Sequence, residues 1–117
     1  INLARGDAMR AQNELFDTCD DPDLRAQLGQ VNSELQTLND RNQGLAAHAA
    51  QLDNQSGTEI NRANRELSEA DRDHRREQAT LFKKQADALR RQIKANEKAQ
   101  TELHKRREQI EQRMREW

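Results

Sequence analysis

The chain has 117 residues, 32% of them apolar and 35% charged, with a formal net charge of −1 and three aromatic residues, Phe16, Phe82 and Trp117. A globular domain of this size normally carries roughly 45–50% apolar residues. The composition therefore excludes a well-filled three-dimensional core, but it suits the seam between paired helices, which uses about two positions in seven.

Charge is unevenly spread. Residues 1–60 hold 4 basic and 10 acidic side chains, a balance of −6, whereas residues 61–117 hold 16 and 11, a balance of +5. Arg outnumbers Lys fifteen to five, which is compatible with a GC-rich bacterial coding sequence. No apolar run approaches the roughly 20 residues of a membrane span, and no signal-peptide core is present. Cys19 is the only cysteine, so no internal disulfide can form, and the compartment stays open. The chain begins at Ile1 rather than Met, and a fragment of a larger protein is expected.

In chain order, residues 1–20 predict a short helix with Ala8, Ala11, Leu15 and Cys19 on one side. It breaks near residues 20–22, where Asp21 can cap a new helix and Pro22 suits the first helical position. A first arm over 22–53 carries Leu24, Leu28, Val31, Leu35, Leu38, Asn42, Leu45, Ala49 and Leu52 at alternating steps of four and three, the spacing of a coiled-coil seam. Asn54, Ser56 and Gly57 are turn formers, and Ser56 with Glu59 makes a capping box, so a turn is expected over 54–58. The second arm, 59–117, carries a further seam of Phe82, Ala86, Leu89, Ile93, Asn96, Gln100, Leu103, Arg107, Ile110, Met114 and Trp117. Between the two runs, Ile60, Ala63, Leu67, Ala70, His74 and Leu81 suggest a third register.

The fold class read from this is all-α: a single elongated module, a long antiparallel helical hairpin or two-stranded coiled coil. A turn near 53–58 leaves arms of about 55–60 residues, reaching roughly 85–90 Å. It sets Asp17, Asp20, Asp21 and Asp23 beside Arg90, Arg91 and Lys94, and Ile1 and Leu3 near Ile110 and Met114. The alternative is a parallel coiled-coil dimer with Asn42 fixing register. Its flanking pairs Gln27–Asn32, Glu34–Asn39, Arg41–Ala46 and His48–Asp53 hold little charge complementarity, which weighs against it.

The remaining candidates read as structural. His48 and His74 fall close to or on the expected seams and His104 flanks one, with no metal-ligand spacing, so no metal is expected. The acidic cluster 17–23 lacks the glycine and spaced oxygens of a calcium loop. Cys19 has no base near it in sequence. Basic clusters at 72–76, 83–84, 90–91 and 105–107 are interrupted by acids and lack stacking aromatics, and the segment before Leu24 is acidic where a zipper DNA-binder is basic. Nucleic acid is thus not the expected partner. Met114 and Trp117 form an apolar end suited to partner contact.

These readings point to a non-enzymatic structural or assembly module without a cofactor or small-molecule substrate. It would act as a spacer or protein–protein docking element, its partner another protein or a second copy. The alternative is a homodimerisation zipper of a regulatory or nucleic-acid-associated protein. At the level of architecture the expected hairpin is similar to those of bacterial periplasmic adaptor proteins and of the stalk proteins of flagellar and type III export. In the adaptors the tip docks through an Arg, a Leu and a Ser or Thr at set spacing. The stretch from Leu45 to Leu67 does not reproduce it, and no functional residue carries over.

Overall fold

Helix formation starts at the cap written into Asp21-Pro22. In the computed structural model, which describes residues 21–66 and 68–116, helix α1 spans Pro22–Arg65 and helix α2 spans Glu69–Glu116. The Asp21 carboxylate accepts from the amides of Asp23 (2.9 Å) and Leu24 (3.4 Å), which have no partner inside the helix. Pro22, at the first helical position, has no amide to satisfy there. The short helix expected over 1–20, Cys19, and the contacts expected for Ile1 and Leu3 lie outside the described residues.

The chain is an all-α helical hairpin, but it does not turn at residues 53–58. Asn54, Ser56 and Gly57 all lie inside α1. No glycine among the described residues takes a positive φ, so Gly57 is helical, at a cost of about 1 kcal/mol relative to Ala. The capping box is not used either. The Ser56 hydroxyl is buried and donates to the Ala79 carbonyl of α2 at 2.8 Å, while Glu59 turns to arginines. Thr58 bonds back to the Asn54 carbonyl at 3.0 Å. Once the hydroxyl and carboxylate find partners across the seam, the helix continues.

Helix α1 ends eight residues after Gly57, at Arg65. The Glu66 amide donates to the Ala63 carbonyl (3.2 Å), a tightened last bond typical of helix ends. Ser68 then caps α2: the Asp71 amide donates to its hydroxyl (3.4 Å) and the Arg72 amide to its carbonyl (3.0 Å). Basic Arg62 and Arg65 close α1, and acidic Glu69 and Asp71 open α2. Each pair opposes the partial charge of its helix end.

The chain divides into two compact units, Ile1–Leu38 with Lys98–Trp117, and Asn39–Glu97. In the first, the terminal unit, Leu24, Leu28, Val31, Ile110 and Met114 form one cluster, flanked by Leu35 and Leu103. Leu28 and Val31 are fully enclosed. Full burial of such a side chain stabilises by about 1.5–3 kcal/mol, so aliphatic packing holds this unit. Arg107 sits half-buried in the same stripe and pairs with Glu111 at 3.9 Å.

In the second, the turn unit, the enclosed side chains are small: Ala49, Ser56, Ala63, Ala79 and Ala86, with Leu52. Phe82 and Leu89 cover Ala49, Leu52 and Ala86 from the side. Interaxial distance follows the size of the contacting side chains, from about 8 to 10 Å. The direct bond from the Ser56 side chain to the α2 backbone accords with close approach. Asn96 donates to the Asn42 side-chain oxygen at 3.0 Å and fixes the antiparallel register of the two strands of this unit.

Candidate functional site

The seam in the turn unit is a single continuous stripe, running in α1 through Ser56, Glu59 and Ala63 and in α2 through Arg75, Ala79 and Phe82. Of the separate register expected from Ile60, Ala63, Leu67, Ala70, His74 and Leu81, Ala63 is buried and belongs to this stripe. Ile60 and Leu81 are 47% and 50% exposed, Ala70 and His74 are exposed, and Leu67 lies outside the described residues. Beside the stripe, the acids of α1 meet the bases of α2. Asp53 holds Lys83 (3.4 Å) and Arg90, and Glu59 holds Arg75 at 3.1 Å. Arg75 also reaches Glu66 at 3.6 Å, and Arg62 reaches Glu59 at 3.3 Å.

The hydrogen bond from Arg90, with its charge and that of Lys83, holds the Asp53 carboxyl below its ordinary range against an opposing desolvation effect. Glu59 and Asp53 in turn raise Arg75 and Arg90, chiefly by accepting their hydrogen bonds. The expected pairing of Arg90 with the acidic cluster at 17–23 is therefore replaced by pairing with Asp53. Within that cluster, Asp21 serves as the cap of α1, and Asp17 and Asp20 lie outside the described residues.

Leu24, Leu28, Val31, Leu52 and Ile110 are buried; Leu35, Leu38, Asn42, Leu45, Phe82, Leu89, Ile93 and Leu103 are half-buried. Met114 is not an open partner contact: it is 5% exposed and already packed in the terminal cluster with Leu24 and Leu28. Trp117 lies outside the described residues. His48, His74 and His104 are all exposed, the first two against their expected place near the seam. Among the described residues no group of three or more His, Cys, Asp or Glu could hold a metal ion, and no helix is long and apolar enough to cross a membrane.

One concavity escaped the sequence reading. An open cleft of about 570 Å³ runs beside the seam of the turn unit. Ser56, Gly57 and Ile60 line it from α1, and Arg76, Thr80 and Lys84 from α2. Gly57 contributes no side chain, and a Cβ built there would meet nothing within 4 Å. The signal in the sequence was the isoleucine itself, which stands one place after a seam position instead of on it.

Comparison with protein-family models, characterised proteins and solved structures yields no match to this chain.

Proposed function

We propose that the protein is a non-enzymatic coiled-coil hairpin that serves as a spacer and docking element in a protein assembly, of the kind used in bacterial envelope or secretion-type machinery. The observation that carries this reading is the division of labour across each helix. The inward stripe is spent on the antiparallel partner strand, with register fixed by Asn42 and Asn96. Of the large apolar side chains described, only Ile60 and Leu81 face outward. Such an arrangement presents a charged exterior with apolar side chains at concave sites beside the seam, which suits recognition of another protein. The zipper alternative loses support, because the α1 leucines that would pair two copies are occupied by α2.

Site-specific photo-crosslinking tests the reading in cells that make the protein. A crosslinking side chain placed in turn at exposed positions around the turn unit should give adducts of one defined mass, clustered on one face. No adduct at any position, or the same smear at all of them, would remove the docking role.

A further inference from the structure

The cleft beside Gly57 has a character that specifies its occupant. Its floor is made of small side chains, with Ser56 and Ala79 buried and Gly57 bare, so a neighbouring helix can approach closely. Ile60 is half-exposed at its wall, although the stripe beside it is well packed. A single exposed isoleucine is ordinary; one set against a small-residue floor and ringed by cations is a place for an apolar side chain.

Charge narrows the choice further. Four charged side chains besides the small ones line the cleft, and the one acid, Asp53, already holds Lys83 and Arg90. Arg76 and Lys84 enter none of the ion pairs among the described residues, and both are exposed. A second depression, of about 410 Å³, shares Arg76, Thr80 and Lys84 and extends to Glu77 and Leu81. The two hollows thus carry two exposed aliphatic side chains, with Arg76 and Lys84 common to both and Glu77 as the acid of the second. An extended nucleic acid would satisfy the cations but not the aliphatic groups, and no aromatic ring is present there for base stacking.

We propose that this cleft seats an acidic amphipathic helix of a partner protein. An aliphatic side chain of that helix packs on Ile60 above Gly57, and its carboxylates pair with Arg76 and Lys84. This is the helix-in-groove mode of recognition, with apolar anchors giving affinity and charge giving orientation. The proposal rests on the docking role above and names the class of partner.

The test uses the full chain, isotope-labelled, titrated with three probes: an amphipathic Leu/Glu peptide of several helical turns, its Leu/Lys counterpart, and a single-stranded oligonucleotide. The Leu/Glu peptide is expected to bind saturably and to shift the amide resonances of Gly57, Ile60 and Thr80. Ile60→Asp, and separately Arg76→Glu with Lys84→Glu, should each weaken it by about tenfold or more, as for an interface hot spot. All three positions are exposed, and an unchanged helical circular dichroism signal and melting temperature establish that the fold is kept. The milder Ile60→Ser should weaken binding in the same direction.

Equal binding of the Leu/Lys peptide, preferential binding of the oligonucleotide, or shifts absent from the cleft would overturn the assignment. Photo-crosslinks clustered elsewhere on the hairpin would then leave the docking role standing without this occupant. Absence of both crosslinks and peptide binding would remove the role itself.

Discussion

The two units of this protein share one heptad repeat and solve its packing differently. In the terminal unit the stripe is filled by Leu24, Leu28, Val31, Ile110 and Met114. In the turn unit it is filled largely by Ala49, Ser56, Ala63, Ala79 and Ala86. An alanine withdraws far less apolar area from water than a leucine, so the turn unit gains less from burial. It carries instead the Asn42–Asn96 and Ser56–Ala79 bonds and the ion pairs of Asp53 and Glu59 across the helices. The comparison teaches that a coiled-coil seam can be kept with few large side chains where polar groups cross it. It also explains why the exposed cleft lies where it does, since small side chains in and beside a seam leave room at its edge.

The largest effect expected from breaking this contrast is in the terminal unit. Leu28→Ala removes an enclosed side chain and should cost about 2–5 kcal/mol, read from the midpoint of urea unfolding. The reverse experiment comes next. Ala79→Leu forces a large side chain into the small-residue layer at the Ser56 bond and should cost about 1–3 kcal/mol by overpacking. Were Ala79→Leu to stabilise the protein, the seam there would be loose and the described close packing wrong.

A smaller effect sharpens the electrostatic side of the comparison. The folded-state pKa of Asp53 is depressed, so its contribution is present above the unfolded carboxylate value of about 3.9 and lost as pH falls through the lower folded value. The difference in melting temperature between the native chain and Asp53→Asn should therefore be steady near neutrality and shrink below about pH 4. It should also shrink in high salt, because the pair is exposed to solvent. A difference independent of pH would mean that the Asp53 ion pairs contribute nothing. Smallest of all, Gly57→Ala should stabilise by about 0.5–1 kcal/mol, because the backbone is helical and the added methyl meets no neighbour. A destabilising result would place Gly57 in a turn after all.

Much of the fold could be read from the chain: the Asp21-Pro22 start, the two leucine-bearing runs and the antiparallel pairing of acidic with basic halves. The turn could not be found by local propensity. Asn54, Ser56, Gly57 and Glu59 carry every short-range mark of a turn, yet Ser56 and Glu59 hold seam positions, and the heptad of Leu52 continues through them to Ala63. Reading Ser56 and Glu59 as turn and cap instead of seam hid that continuity and raised Ile60 and Leu81 to a register they do not occupy. The sequence between the end of α1 at Arg65 and the start of α2 at Glu69 has neither glycine nor proline, and its one legible mark is Ser68 with Asp71 three residues on, the spacing of a helix cap. The cleft was illegible because it depends on which residues of α2 stand opposite Gly57. That follows from the register and not from either helix alone.

Helix α1 runs unbroken through LDNQSGTEI and pairs with α2 in the register that joins Asn42 to Asn96. Disulfide trapping tests this arrangement most directly, in a Cys19→Ser background. A disulfide forms only between positions whose Cα atoms come within about 7 Å, and Asn42 and Asn96 face each other across the seam. Asn42→Cys with Asn96→Cys should cross-link rapidly within one chain under mild oxidation, while Asn42→Cys with Asp71→Cys, level only if the turn lay near residues 54–58, should not. Cross-linking of the 42–71 pair in preference to the 42–96 pair would place the turn near residues 54–58 and contradict an unbroken α1.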